Sequence, residues 1–296
     1  MRRPSPQRQQ GFGLLVFVII TAIVALSIVV GYSGVLTRTH ANQVVANHQQ
    51  YLAESRVALL TFYEKHAFAI DEQSMSNPTT IEQLLAGANV PKRYGMRAAL
   101  SNVLVSPEGL RYRAVAVWLP SETDEANPPN IARFITTGQF QDCVNGAANC
   151  AQRSFVVFDS ADIQREYAKR TIARLEKVAM KAQSYFKART LQDPERNVSV
   201  NYFRTPSGGC EISPMDLQCL NNYTPLAMPD GSGKLAPSRT AINLGLSDEE
   251  LVSAWGRPIE ASNLTDAVTD DTPYTMVFRA ATPAGTFYTV RAVQQL

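Results

Sequence analysis

The chain has 296 residues, which is enough for about two domains beyond a hydrophobic N-terminal segment. Hydrophobic residues make up 45% of the sequence and charged residues 18%, a composition that excludes a disordered chain. The formal net charge is +2, and it becomes about −1 without the arginines of residues 1–8, so bulk charge gives no reason to expect a nucleic-acid partner.

An uncharged apolar run follows a short basic leader. The leader contains Arg2, Arg3 and Arg8 and ends at Gly11, and the run that follows, residues 12–36, has about 25 residues, the length of a helix that spans a bilayer. The basic residues predict a cytoplasmic N-terminus, with the rest of the chain on the far side of the membrane. The run is longer than the core of an ordinary secretory signal, which has roughly 7–15 residues.

The junction of leader and run carries Gly11, Phe12, Leu14 and Leu15 in sequence. This arrangement resembles the class III signal of type IV prepilins and type II secretion pseudopilins. The resemblance implies that a prepilin peptidase cleaves after Gly11 and methylates the new N-terminal residue, Phe12. It also implies that residues 12–36 form the core helix of a filament, with other pilin subunits and the assembly machinery as partners.

One position departs from that family. Pilins usually carry a glutamate at the fifth mature residue, where it neutralises the N-terminal amine of a neighbouring subunit, and this chain has Val16 there. An unpaired ammonium is costly to bury in an apolar filament core. The departure favours a rare subunit, at the tip or at initiation, and minor pilins and the K-type pseudopilin share it. A signal anchor that is never processed is the alternative interpretation.

Helical periodicity continues beyond the apolar run. Residues 41–68 contain no glycine or proline, and their apolar positions recur at helical spacing. We therefore expect the N-terminal helix to extend along a folded domain. A turn and a short helix follow within residues 76–91, with Thr79 or Thr80 as the N-cap.

Strands are expected next, and side-chain alternation is typical of a sheet that packs on a helix. The first two strands flank a Ser-Pro-Glu-Gly turn at residues 106–109. The predicted strands are 98–105, 110–119, 131–137 and 154–159.

The second half repeats this order of elements. A second long amphipathic helix is predicted first, then a loop region, a short helix and two strands. The predicted ranges are 162–189, 191–246, 248–254, 274–280 and 286–293.

An internal duplication is indicated by two alignments. Residues 106–117 align with 282–293 through shared Pro, Gly, Tyr, Ala and Val, and residues 82–91 align with 249–258 through Glu, Leu and Pro.

These elements predict an α+β fold. Its long N-terminal helix has a membrane-spanning half and a soluble half, packs on an antiparallel sheet, and precedes a second pilin-like helix-plus-sheet module. The predicted parts are the prepilin leader (1–11), the transmembrane or filament-core helix (12–36), the first pilin-like module (37–159) and the second (160–296).

The cysteines form two close pairs, Cys143 with Cys150 and Cys210 with Cys219. Export would place them in an oxidising compartment, where disulfides persist. Each pair closes a short polar loop, so we predict two local disulfides, although other connectivities exist in principle. A zinc site is the competing interpretation, but it requires closer ligand spacing, and no histidine lies near either pair.

An enzyme is not expected. The histidines, His40, His48 and His66, all lie on or just before the N-terminal helix and cannot converge on one small pocket. No phosphate-binding loop, nucleophile elbow, zinc-protease or dinucleotide motif is present, so we predict no catalytic residue.

Calcium and DNA are weaker alternatives. Asp230 lies in a glycine-rich turn, and Asp266, Asp270 and Asp271 precede the final hairpin. Oxygen-rich loops can hold Ca²⁺, but solvated turn aspartates are commoner, so we predict no cofactor and no metal site. A basic stripe on the second helix could contact DNA phosphates, but no exposed aromatic residues interleave with it, so a nucleic-acid partner is not expected.

The expected function is that of a minor pilin or pseudopilin, a rare subunit that joins a type IV pilus-like filament through its N-terminal helix. The expected location is the bacterial inner membrane, single-pass, with a cytoplasmic N-terminus and periplasmic modules, and the pilus or pseudopilus after assembly. One alternative is a pilus-displayed adhesive module that binds through the loop region 191–246. The other is an unprocessed, bitopic envelope anchor.

Overall fold

The computed structural model describes residues 9–72, 79–120, 128–141, 153–204, 217–220, 222–264 and 271–295, and within the first helix it describes the side chains of residues 16–30, 32, 38–40 and those from 42 onward. The chain divides into two compact units, Met1–Ser55 and Arg56–Leu296. The predicted four-part division stays a prediction.

Helix α1 runs over Gln9–Asp71 and includes both segments for which a helix is predicted, 12–36 and 41–68. No proline interrupts it, so every residue after the first turn can donate its backbone N–H to the carbonyl four residues earlier. Its hydroxyl side chains are satisfied within the helix, since Thr21 Oγ1 and Ser27 Oγ donate to the carbonyls of Phe17 and Ile23, each at 2.8 Å.

The predicted membrane-spanning half of α1 is wrong. Among the residues whose side chains the structure describes, no helix is both long enough and apolar enough to cross a membrane. The described residues confirm the α+β class, and they contain no membrane-spanning half of α1.

The first sheet of the second unit has three antiparallel strands in the order β1-β4-β5. A hairpin of two short strands, β2 and β3, lies between β1 and β4 in the chain. The bounds are β1 Arg97–Leu100, β2 Leu104–Val105, β3 Arg111–Tyr112, β4 Ala114–Trp118 and β5 Phe155–Asp159. All five residues of β4 are buried, as expected for a central strand covered on both faces.

Two short helices accompany this sheet, α2 (Ile81–Gly87) and α3 (Ile131–Thr137). Thr80 caps α2 and forms a reciprocal capping box with Gln83. Phe134 of α3 is fully buried and packs with Ala99, Ala114, Ala116 and Trp118 on one face of the sheet. On the other face, Tyr63 of α1 meets Phe158 edge to face, with ring centroids 6.3 Å apart.

The strand predicted at residues 131–137 is wrong, because this segment is α3. Its isoleucines and threonines favour a strand locally. However, Asn130 Oδ1 accepts a hydrogen bond from Arg133 N at 3.0 Å, which caps the helix start. Gly138 ends the helix with φ of 72°, the left-handed conformation typical of a helix C-terminus. The two caps and the burial of Phe134 outweigh β propensity.

The second module has a long helix, α4, on a four-stranded antiparallel sheet in the order β11-β10-β9-β6. The predicted loop region contains short strands and a helix, and the helix predicted at 248–254 is a shorter 3₁₀ turn at Asp248–Glu250. The bounds are α4 Ala161–Gln192, β6 Thr224–Pro225, β7 Ala227–Pro229, β8 Leu235–Pro237, α5 Arg239–Asn243, β9 Glu260–Ser262, β10 Thr275–Ala281 and β11 Phe287–Val293.

The core of the second module lies between α4 and its sheet. Leu175, Val178 and Phe186 of α4 are buried against Met276 and Phe278 of β10. These α4 residues recur at helical spacing, so one stripe of the helix faces the sheet. Burial of this stripe stabilises α4, since most helical stability in proteins comes from packing of an amphipathic face.

The hairpins that the duplication aligns have the same register. Leu104 pairs with Tyr112 in β2–β3, and Ala280 pairs with Tyr288 in β10–β11. Gly109 and Gly285 occupy the same turn position with φ of 79° and 72°. The duplication stays a prediction, and this shared register supports it.

The helix starts that the duplication aligns also match. Thr80 with Gln83 and Ser247 with Glu250 form capping boxes at equivalent positions, and the buried residues Leu84 and Leu251 follow. The modules differ at Arg113, where a break between β3 and β4 shifts the register by one residue. They also differ in the pairing of the third strand. In the first sheet β5 pairs with β4, the later strand of its hairpin, whereas in the second sheet β9 pairs with β10, the earlier strand of its hairpin.

Candidate functional site

The first candidate site is the apolar surface of α1 in the first unit. Every described residue from 16 to 30 is exposed, from 39% at Val16 to 69% at Leu26, and Tyr32 is also 69% exposed. Successive helix residues point about 100° apart, so consecutive exposed apolar residues surround the helix. A helix that is apolar on all sides requires a nonpolar environment.

The predicted processing and filament-core residues lie in this helix. Gly11, Phe12, Leu14 and Leu15 are within α1, but their side chains are outside the described residues, so cleavage and methylation stay predictions. Val16 is exposed and apolar, and this position offers no carboxylate to a neighbouring ammonium group.

The predicted disulfides lie mainly in segments that the structure does not describe. Cys219 is disulfide-bonded. Cys143, Cys150 and Cys210 lie outside the described residues. The two local pairings therefore stay predictions.

The second candidate site is a buried polar cluster in the second unit, made by Tyr63, Asp71, Ser160 and Gln164. The exposed fraction of these side chains is at most 1%. The Tyr63 hydroxyl donates to Asp71 Oδ1, and Gln164 Nε2 donates to Asp71 Oδ2. Ser160 Oγ lies 3.0 Å from Asp71 Oδ2. The cluster joins the end of α1 to the start of α4 through side chains rather than backbone pairing.

Burial perturbs both acids of the cluster. It raises the pKa of Asp71 from 3.8 to about 6, although the hydrogen bonds from Tyr63, Gln164 and Ser160 lower it. Burial and the neighbouring Asp71 raise the pKa of Tyr63 well above its ordinary value. Perturbed groups of this kind can mark catalytic sites. Here the four side chains are buried, and their hydrogen bonds connect α1 to α4.

The cluster extends to the segment before the last sheet. Trp255 Nε1 donates to Gln164 Oε1 at 2.7 Å. Around it, Phe68, Ala168 and Trp255 form a small apolar cluster. The Arg257 guanidinium lies 4.4 Å from the centre of the Phe68 ring, and the Tyr167 hydroxyl donates to Glu64 O at 2.7 Å. These contacts hold the second module against the C-terminal part of α1.

The basic stripe of α4 is largely occupied by intramolecular partners. Lys177 and Lys181 lie 2.9 and 2.6 Å from the carboxylate oxygens of Glu250, which is 2% exposed. Arg174 Nη1 donates to Val252 O at 3.0 Å, and Arg170 pairs with Glu166 at 2.8 Å. The predicted stripe consists of Arg165, Lys169, Arg170, Arg174, Lys177, Lys181, Lys187 and Arg189.

Glu250 is a buried carboxylate that remains ionised. Burial raises its pKa, but hydrogen bonds from Lys181, the Ser247 backbone and Lys177 outweigh burial and lower it from 4.5 to about 2. Several cations of the stripe thus form ion pairs and hydrogen bonds within the second unit, and the expected absence of a nucleic-acid partner stays a prediction.

The calcium alternative has no support among the aspartates described. Asp230 Oδ1 accepts hydrogen bonds from Ser232 N, Ser232 Oγ and Lys234 N, the pattern of a turn aspartate. Asp266 and Asp270 lie outside the described residues. Within the described ranges, no three His, Cys, Asp or Glu side chains are grouped so that they could hold a metal ion.

Sequence reasoning missed the buried cluster. Asp71 ends an amphipathic helix and Gln164 lies in the first turn of another, positions at which polar residues are normally solvated. The one available signal was Trp255, because a tryptophan that is buried usually finds a hydrogen-bond partner for its indole N–H. That signal identifies no partner for the indole N–H.

No protein-family model, no characterised protein and no solved structure matches the chain. The described residues define an α+β protein with an exposed apolar surface on its N-terminal helix and, within the second unit, antiparallel sheets and a buried polar cluster that connects α1 to α4.

Proposed function

We propose that this protein is a pilin-like subunit that assembles into a filament through its N-terminal helix. The observation that carries the proposal is the apolar surface formed by residues 16–30 and Tyr32, which is exposed on all sides of α1. Packing against the equivalent helices of neighbouring subunits would remove this surface from water. Burial of apolar area contributes about 25 cal/mol per Å².

The proposal also rests on the residues that precede this surface. A basic leader, Gly11, Phe12 and an uncharged run follow in the order of a prepilin signal. Val16 stands where a repeating subunit would place a carboxylate, so we propose a rare subunit at the tip or at initiation. The inner-membrane location with periplasmic modules stays a prediction that follows from this assignment.

Mass spectrometry of the protein purified from its native host tests the processing step. We expect a mature N-terminus at a methylated Phe12. Gly11→Ala should abolish cleavage and leave the leader attached. An intact Met1 in the wild-type protein would contradict the proposal and favour an unprocessed anchor.

A charge placed on the apolar surface tests assembly. Leu26→Asp alters a residue that is 69% exposed within the surface, whereas Val57→Asp alters one that is 63% exposed on α1 but outside it. Immunoblots of sheared filaments should lose the protein in Leu26→Asp and retain it in Val57→Asp. Equal recovery of both variants would show that the surface is not used for assembly.

The adhesive alternative predicts a different phenotype. Deletion of the second module should leave filaments intact and abolish attachment to surfaces or cells if that module only binds. If the module contributes to assembly, the same deletion should reduce the number of filaments.

A further inference from the structure

We propose that the free edge of β1 is a peptide-binding groove, which adds an extended segment of a partner protein as a strand and binds a carboxylate of that segment at Arg113. The groove lies wholly in the second unit. It is independent of the filament proposal, since it does not involve the apolar surface of α1.

The first observation is that β1 has an unpaired edge. Ser101 N donates to Ala114 O at 2.9 Å. Because the direction of the backbone groups alternates along a strand, Ser101, Ala99 and Arg97 direct their N–H and C=O groups at β4. Ala98 and Leu100 therefore direct their N–H and C=O groups the other way. In the part of the chain that the structure describes, these outward groups have no hydrogen-bond partner. An open edge of this kind is a template for a further strand.

The second observation is a cavity along this edge. Its volume is about 470 Å³, within the range of ligand sites. The strand edge forms one wall, the start of α2 another, and Ile131 and Ile135 of α3 supply apolar side chains. One end is closed, because Asn102 N donates to Ile135 O at 2.8 Å. The cavity thus follows the direction that an added strand would take.

The third observation is a guanidinium beside this cavity whose hydrogen bonds are incomplete, although it interacts electrostatically with the buried Asp71 and shares the cavity lining with Glu82. Arg113 lines the cavity and is only 7% exposed. Its Nη1 donates to Thr79 O at 3.2 Å, but its Nε is buried without a partner among the described residues. A buried donor on a charged group left without an acceptor is costly, and a carboxylate is the acceptor that fits a guanidinium best.

Arg113 lies at the break between β3 and β4, beside the cavity. Arg113 falls at the one-residue shift of register that the second module lacks. The extra residue of this bulge lies on the opposite segment, where Asn102 and Val103 face Arg113, and a bulge bends the strand that contains it and increases the local twist. The Arg113 backbone is fixed from the other side, since Ser160 N donates to Arg113 O at 3.0 Å and Arg113 N donates to Ser160 Oγ at 3.1 Å.

Fluorescence anisotropy with the full-length protein in detergent tests the groove. The probes are three labelled hexapeptides of alternating valine and threonine: one with a free C-terminal carboxylate, one amidated, and one amidated with glutamate as its last residue. We expect at least one carboxylate peptide to bind at least about tenfold more tightly than the amidated peptide that lacks an acid. A preference for the free terminus or for glutamate identifies the source of the carboxylate.

Two variants separate the edge from the charge. Ala98→Pro removes an outward N–H on an edge strand, where proline is tolerated, and should weaken binding at least about tenfold. Thr289→Pro changes the equivalent outward position on the free edge of β11 and should leave binding unchanged. Arg113→Met should abolish the difference between acid and amide peptides.

Hydrogen exchange provides a readout that does not depend on the stability of the variants. The free-acid or glutamate peptide should slow exchange of the Ala98 and Leu100 amides in the wild-type protein. The proposal is overturned if no peptide binds at millimolar concentration, if acid and amide bind equally, if Ala98→Pro binds like the wild type, or if these amides stay unprotected.

Discussion

Trp255 and Asp71 are connected through one amide, that of Gln164. The indole Nε1 donates to Gln164 Oε1 at 2.7 Å, and Gln164 Nε2 donates to Asp71 Oδ2. Both ends of the amide are used, so the two hydrogen bonds determine its orientation. The segment that precedes β9 is thereby connected to α1 by side chains that are far apart in sequence.

Asp71→Asn should remove a pH-dependent part of the stability. The pKa of Asp71 is raised from 3.8 to about 6 in the folded protein. Its contribution is therefore fully present below about pH 4 and is lost as the pH rises through 6, by up to about 3 kcal/mol. Urea unfolding at pH 4, 5, 6 and 7 should show this loss in the wild type and not in Asp71→Asn. Parallel pH profiles for the two proteins would refute the assignment.

Trp255→Phe should destabilise the protein by about 1–3 kcal/mol beyond the effect of its smaller ring, because Gln164 Oε1 loses its buried donor. Trp118→Phe is the matched control. Trp118 is also buried, but its Nε1 has no partner among the described residues, so its replacement removes no hydrogen bond. Unfolding free energies from urea titrations compare the two. A cost for Trp118→Phe as large as that for Trp255→Phe would argue against the coupling.

Glu250→Gln should cost about 2 kcal/mol at pH 7, since it removes the acceptor of two lysines while leaving a buried polar group. This figure is below the full effect of the pKa shift because Lys177 is 60% exposed. The pKa of Glu250 is about 2, so its contribution is present above about pH 4.5 and disappears as the pH falls towards 2. Unfolding at pH 7 and pH 3 should show the difference shrinking.

The exposed pair of Glu166 and Arg170 is the control for that measurement. Their side chains are 52% and 61% exposed, so Glu166→Gln should change stability by less than about 0.5 kcal/mol at either pH. An equal effect of the two glutamate variants would mean that burial of Glu250 contributes nothing.

Gly285→Ala should destabilise the last hairpin by about 1 kcal/mol through backbone conformation alone. Gly285 has φ of 72°, and a Cβ there would have no atom within 4 Å. Gly231 is equally open without the unusual φ, so Gly231→Ala is the control and should be nearly neutral. Thermal unfolding measures both, and equal melting temperatures for the two variants would exclude strain at Gly285.

Local pattern was sufficient for much of the fold. Helical periodicity predicted α4 to within a few residues, and side-chain alternation with a Thr-Pro-Ala-Gly turn predicted β10 and β11. It failed at 131–137, where β propensity was overruled by an N-cap at Asn130 and a left-handed Gly138. It also predicted a membrane-spanning half of α1 that the described residues do not contain.

The sequence by itself determined features that depend on neighbours within a few positions: the long helices α1 and α4, the turn of the last hairpin and the apolar character of residues 12–36. Only the tertiary structure decided which distant polar groups meet. Asp71 and Gln164 are 93 positions apart and touch because the end of α1 and the start of α4 pack together. Arg113 lines the cavity beside β1 together with Thr79, a residue 34 positions earlier, whose carbonyl accepts a hydrogen bond from Arg113 Nη1. Such contacts depend on packing geometry, which periodicity and propensity do not encode.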